Sequence, residues 1–214
     1  MCDVRVNFNE ALLQLQCIKP NIIFLTSKSC NGKSYFANIL IKMADYKILE
    51  LDNLVRKLAK QFKVGKAPNY NDAFKIYKNI GSDRFIASFI KHIRKFINSN
   101  KYVIIEGALS SKELINKIFA NKDFLFVYLY PWYINNYYSR ILNRMKIDLN
   151  EDKKTLPFWN TIPLDVLSKL KNSGIKSTLV KDFIYQKTIE MKKGSIDRYK
   201  HFKSNDFNIY TVIV

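Results

Sequence analysis

The residues best suited to chemistry lie between Ser27 and Ser34, in the string SKSCNGKS. Gly32, Lys33 and Ser34 stand where an apolar run, NIIFLT (21–26), gives way to an amphipathic one, YFANILIKM (35–43). A strand, a short loop and a helix in that order make an anion site, because free N–H groups of the loop and of the first helical turn converge on phosphate oxygens. The candidate nucleotide contacts are Ser27, Lys28, Ser29, Cys30, Asn31, Gly32, Lys33, Ser34 and the adjoining Tyr35. Lys33 would bring a positive charge to the β- and γ-phosphates, and Ser34 a hydroxyl ligand for Mg2+. The full pattern, G-x-x-x-x-G-K-[ST], has glycine where this chain has Ser27. Serine lacks glycine's backbone freedom, so an imperfect loop is expected there. Cys30 is either a thiol activated by a helix N-terminus or a small loop residue, and the second reading is preferred.

Two acids are placed to serve the same loop. Asp52, in ILELDNLVR (48–56), follows the second apolar run, and Glu106 ends the third, YVIIE (102–106). Carboxylates at the carboxyl ends of parallel strands face a bound nucleotide, where they can accept a proton from an attacking hydroxyl or orient Mg2+. Each has a plainer reading: Asp52 as the N-cap of a helix over 53–62, Glu106 as an exposed strand end. Gly107 would allow backbone or substrate to approach closely. Arg140 and Arg144 are four apart and share a helix face, from which they could clamp phosphates; a solvated basic face is the alternative. Arg84, at the start of a long helix, and Arg56, beside Asp52, are candidates for contacting the phosphoryl acceptor. Trp132, Tyr133, Tyr137 and Tyr138 form an aromatic cluster read as packing rather than base stacking.

Those residues need a scaffold, and the apolar pattern predicts one. The runs 21–26, 46–51, 102–106 and 123–130, with 207–214 as a fifth, alternate with helical periodicity over 33–44, 53–62, 83–97, 110–120, 132–146 and 163–171. A further helical stretch, 177–202, is expected to break at Gly194. Continuous apolar strands separated by helices indicate a parallel sheet covered on both faces. The domain is expected to begin with its phosphate-binding strand. Lys63 to Asn71 reads as a loop and Ile147 to Ile162 as a polar excursion, which makes about 63–84 and about 140–162 candidate acceptor-binding and lid segments of a single domain over 1–214.

Lys and Arg total 36 against 18 Asp and Glu, a net charge of +18. That balance calls for an anionic partner: nucleotide, nucleic acid or an anionic membrane. Three dispersed cysteines and two histidines exclude a disulfide framework or a zinc cluster. No apolar run is long enough to span a bilayer, and the N-terminus lacks a signal-peptide layout, so a soluble cytoplasmic protein is expected.

In their order, Gly32-Lys33-Ser34, Asp52, the Glu106-Gly107 pair and Arg140-x-x-x-Arg144 resemble the P-loop kinases of small metabolites, the nucleoside and nucleoside-monophosphate kinase superfamily. The string VIIEGAL (103–109) is similar to the corresponding segment of uridine kinases, and the resemblance runs from about residue 21 to 146. It implies a three-layer α/β P-loop NTPase fold, with about five parallel strands, the loop-bearing strand at the centre, and a lid. It implies ATP with Mg2+ as donor: Lys33 and Ser34 holding phosphate and metal, Asp52 serving the acceptor hydroxyl or metal, Arg140 and Arg144 in the lid. The activity implied is transfer of the γ-phosphate to a hydroxyl or phosphate of a nucleoside, nucleotide or similar small metabolite. Two alternatives stay open: a polynucleotide 5′-hydroxyl as acceptor, favoured by the charge and by Asp52 with Arg56, and binding of nucleotide or nucleic acid without transfer, favoured by Ser27.

Overall fold

The computed structural model describes residues 4–62 and 82–214, and its framework is an all-parallel sheet of six strands. These are β1 (Val4–Asn7), β2 (Ile22–Thr26), β3 (Lys47–Glu50), β4 (Val103–Glu106), β5 (Leu125–Tyr130) and β6 (Ile209–Ile213), in spatial order β1-β6-β5-β2-β4-β3. Among the described residues, eight α-helices accompany them: α1 (Phe8–Ile18), α2 (Lys33–Ala44), α3 (Leu51–Gln61), α4 (Ser82–Ser99), α5 (Lys112–Ile118), α6 (Ile134–Asn150), α7 (Leu164–Ser173) and α8 (Thr178–Ser204).

The continuous apolar strands bury both faces, as parallel strands must when helices cover each side. On one face α1 and α2 set Leu15, Phe36 and Leu40 against Leu25, Ile104, Val127 and Val212. On the other, α3, α4, α5 and α8 set Leu58, Phe89, Ile115 and Phe202 against Phe24, Ile105 and Phe126. In α4 the buried residues Phe85, Phe89, Ile93 and Ile97 recur at the spacing of one helical stripe. A third cluster joins α6, α7 and the first half of α8 through Tyr137, Ile141, Leu156, Phe158, Val166 and Ile184. The loop-bearing strand β2 lies between β5 and β4, inside the sheet as expected.

Four features depart from the sequence reading. The sheet has a sixth strand: β1 pairs in parallel with β6, so the domain does not begin with the phosphate-binding strand. VRVN is too short and too polar to announce itself, and Asn7 at once turns the chain into α1 by accepting a hydrogen bond from the Glu10 N–H at 2.9 Å. Helix α8 runs unbroken through Gly194, which lies beside Lys28; a β-carbon there would stand 3.4 Å from Lys28 Cε, an ordinary contact. The stretch 147–162 is only partly an excursion, because α6 continues to Asn150 and Leu156 and Phe158 are buried. Gly107 does not open a path to substrate: a β-carbon on it would lie 2.7 Å from that of Leu51, so the glycine lets α3 close onto the end of β4. The expected loop over 63–71 lies outside the described residues.

Gly107→Ala is therefore an overpacking substitution, expected to cost about 1–3 kcal/mol of stability. A urea melt of the variant that matches the parent would show that Leu51 is not seated as described.

Candidate phosphate-binding site

Strand β2 ends at Thr26, and the chain turns through six residues before α2 begins at Lys33. Gly32 is the N-cap residue of α2, in a left-handed conformation (φ 84°), and no side chain caps the helix. An uncapped first turn leaves its N–H groups for an external acceptor, and the helix dipole favours an anion there. The left-handed residues of the loop are Cys30 (φ 63°) and Gly32. Ser27 has no such conformation, so the backbone difficulty expected of it is absent. Instead it is fully buried; its hydroxyl donates to the Lys28 carbonyl at 3.0 Å, and its own carbonyl accepts from Arg198 at 3.5 Å.

The loop is hydrogen-bonded to three other elements, β5, α8 and α6. Asn31, fully buried, donates from its amide to the Leu129 carbonyl on β5 and to the Ser195 hydroxyl on α8, both at 3.1 Å. Ser195 is fixed in turn by Tyr128, whose phenol donates to its carbonyl at 2.6 Å and meets its hydroxyl at 2.9 Å. Tyr137 of α6 donates to the Ser29 carbonyl at 2.8 Å. Sequence reading missed Asn31's role as an anchor, and also Tyr128, Ser195 and Arg198, since their signal is a hydrogen-bond geometry between distant segments.

Lys33 and Ser34 stand on the first turn of α2. Lys33 Nζ donates to the Lys28 carbonyl at 3.3 Å, and burial pushes its pKa below the ordinary lysine value, opposed by the carboxylates of Glu106 and Asp52. The Ser34 hydroxyl lies 3.2 and 3.3 Å from the two oxygens of Glu106. Glu106 is buried, which raises its pKa; the Lys33 charge opposes that rise, and Glu50 reinforces it. Glu50 is a site residue the sequence did not single out. The β3–β4 register sets it directly opposite Glu106. Asp52 is neither the strand end nor the N-cap, since α3 starts at Leu51 after Glu50. It is exposed in the first turn of α3, within electrostatic reach of both Lys33 and Glu106.

The arginines separate. Arg140 is half-buried, with Nη1 3.9 Å from where a β-carbon on Gly32 would stand. Its Nε and Nη2 have no hydrogen-bond partner among the described residues. Arg144, one turn on, is held by other partners: its Nε donates to Thr155 Oγ1 at 2.5 Å and lies 3.4 Å from Asp148 Oδ1. Arg56 is exposed and donates to the Asn53 side chain at 3.0 Å, and Arg84 is exposed on the first turn of α4; neither reaches the loop. Lys28 lies beside Gly194, its pKa lowered by burial and by Arg198. Burial pushes the Cys30 thiol up, against the pull of Lys33, so the activated-thiol reading gives way to a small loop residue. Tyr35 is exposed and stacks on Phe8. The aromatic cluster divides: Tyr137 is buried and Tyr138 packs on Tyr185, whereas Trp132 and Tyr133 are exposed.

Asp148 organises the segment that follows α6. Fully buried, it accepts from the Thr155 N–H (2.8 Å), the Thr155 hydroxyl (2.6 Å), the Leu156 N–H (3.3 Å) and the Trp159 indole (2.5 Å). Burial alone would raise its pKa, but these donors outweigh burial and hold it below the ordinary aspartate value. Among the described residues no helix is long and apolar enough to cross a membrane.

No protein-family model and no curated protein sequence matches the chain. Several solved structures align with it at low identity. A chain of the Pnkp1/Rnl/Hen1 RNA repair complex is 14% identical with a TM-score of 0.46; the match covers 84% of this protein but only 46% of that chain. A gluconokinase from Sinorhizobium meliloti 1021 is 14% identical with a TM-score of 0.44, over 91% of this chain and 82% of that one. Shikimate kinase from Acinetobacter baumannii, in complex with shikimate, is 14% identical with a TM-score of 0.41, over 92% and 99%.

The lowered pKa of Asp148 has a definite sign. Its stabilising contribution is complete above the unfolded value of about 3.9 and is lost as pH falls through the lower folded value. Asp148→Asn should be less stable than the parent at neutral pH, and the difference should shrink on acidification below about pH 4. Urea midpoints measured across that range check this; a pH-independent difference would contradict it.

Proposed function

We propose that the chain is an ATP-dependent phosphotransferase that uses Mg2+ and moves a γ-phosphoryl group to the hydroxyl of a small metabolite. The observation that supports this most directly is the pairing of the Ser34 hydroxyl with the Glu106 carboxylate at 3.2 Å, beside Lys33 on an uncapped helix N-terminus. Phosphate binding alone needs only the loop and the lysine. A buried carboxylate against the serine hydroxyl adds a donor set for a hard divalent ion.

The residues present fit that ion. Among the described residues no three His, Cys, Asp or Glu side chains are grouped closely enough to hold a metal by themselves. That suits Mg2+, which takes one or two protein oxygens and completes its shell with water and phosphate. Ser34 and Glu106 would hold it, and when bound it would neutralise charge between the β- and γ-phosphates. Arg140 fits the nucleotide for a separate reason. A half-buried guanidinium with two unpartnered nitrogens, close above Gly32, is suited to phosphate oxygens.

The chain's own residues then divide the work. Loop N–H groups and Lys33 bind the phosphates, and Arg140 stabilises charge on the transferred group. The acceptor oxygen forms its bond to the γ-phosphorus as the bond to the ADP oxygen breaks. The hydroxyl proton passes to a carboxylate, a role we assign to Asp52 because it is exposed in the first turn of α3 and within electrostatic reach of Lys33. Arg144, tied to Asp148 and Thr155, acts through the lid packing rather than on the phosphates.

Lys33→Ala should reduce phosphoryl transfer about a hundredfold or more and leave the fold intact, since it removes a half-buried charge. Unchanged turnover would sink the assignment. The lowered pKa of Lys33 adds a second test. As pH rises through it the lysine loses its charge, so ATP affinity should begin to fall below pH 10.5, the ordinary lysine value, and the Lys33→Ala protein should lack that step. Titration of ATP binding between neutral and alkaline pH reads both.

A further inference from the structure

A groove of about 560 Å³ runs along β3, the last strand of the sheet, between α3 and α4. We propose that this groove seats the phosphoryl acceptor and selects an anionic one: a small hydroxyl compound that carries a carboxylate or phosphate. The assignment of an acceptor rests on the phosphotransferase reading above; the selection for an anion rests on the groove itself.

The groove is segregated by charge. One end holds Glu50, which the β3–β4 register sets opposite Glu106, the carboxylate that meets Ser34. That end therefore lies one strand away from Glu106. Helix α3 leads away from it, and Lys57 sits six residues beyond Leu51, roughly 9 Å along the helix at 1.5 Å per residue. Across from it, α4 supplies His92 and Lys95, so the end away from the acids is basic. Leu54 and Phe96 form the wall between the two ends.

The basic groups are available. Lys57 and Lys95 are both exposed, and neither has a carboxylate partner among the described residues. His92 is held by its own helix, its Nδ1 2.8 Å from the Ser88 carbonyl. Two ammonium groups and an imidazole around an apolar wall make a poor surface for a neutral polyol and a good one for a carboxylate or phosphate on a short carbon frame. A ligand with its anion at Lys57 and Lys95 would carry its far hydroxyl toward Glu50 and the γ-phosphate. The volume lies within the range of small-molecule sites. An extended nucleic acid would need basic contacts beyond one short groove.

The test uses matched pairs that differ only in charge: glucose with gluconate, and uridine with uridine 5′-monophosphate. The protein has two histidines, so ring resonances of His92 and His201 can be followed by NMR without ATP. We expect the anionic member of a pair to shift His92 and leave His201 still, and the neutral member to shift neither. Lys57→Glu with Lys95→Glu should weaken that binding at least about tenfold and leave ATP affinity unchanged. The proposal is overturned if neutral members shift His92 equally, if no anionic member shifts it, or if charge reversal leaves binding unchanged. A single-stranded oligonucleotide that shifts His92 more than any small anion, with steep salt dependence, would also overturn it in favour of a polymeric ligand. Failure of the parent protein to bind ATP would instead defeat the phosphotransferase reading and leave the NMR result standing on its own.

Discussion

A loop that binds phosphate through its backbone must keep its N–H groups turned outward, so those groups cannot hold the loop together. Something else has to, and here it is a buried amide. Asn31 bonds to a carbonyl on β5 and to a hydroxyl on α8, and thereby ties the loop to the sheet and to the last helix at once. Tyr128 fixes the hydroxyl from below, and Tyr137 holds the Ser29 carbonyl from the side. Buried polar networks are rigid where satisfied and costly where incomplete, and this one leaves Asn31 Oδ1 without a hydrogen-bond partner among the described residues. Rigidity is what an electrostatic site requires, because donors already in place need no reorganisation when charge develops.

The same economy governs the charges. Lys33 is half-buried, which by itself disfavours its ammonium, and the carboxylates of Glu106 and Asp52 offset part of that cost. Glu106 is in the converse position, its carboxylate disfavoured by burial and by Glu50 but supported by Lys33. Each group is tolerable because the other is near. Arg140 meets an aromatic face instead, its guanidinium 5.9 Å from the Tyr137 ring centroid, while two of its nitrogens have no hydrogen-bond partner among the described residues. Cations and acids thus meet at the ends of β2, β3 and β4, while Asp148 and its donors keep α6 in position on the far side.

Much of this was legible in the sequence because it depends on local pattern. The apolar runs located β2 to β6, and GKS between a strand and a helix located the loop. What was hidden depends on register or on distant partners. Glu50 was indistinct because only the pairing with β4 shows that it stands opposite Glu106. Asn31 read as one polar loop residue among several, and Arg140 and Arg144 read as equivalent until packing separated them. The short strand β1 carries almost no pattern, since VRVN acquires a sheet partner only at the other end of the sequence. Ser27 was suspected for want of glycine, yet the left-handed positions are Cys30 and Gly32. The consensus glycine is a statement about one loop geometry, and this loop bends elsewhere.

The partners of Asn31 also set an order of assembly. Its bond to Ser195 spans 164 residues, and β1 meets β6 at Val4 and Tyr210. Contacts of such separation form late, since the entropy of closing long loops is lost before they can reward it. During synthesis the loop will leave the ribosome long before the helix that anchors it. A nascent chain therefore carries the loop sequence without the ordered loop, and under the proposed function nucleotide would stabilise only the molecule in which α8 has already docked.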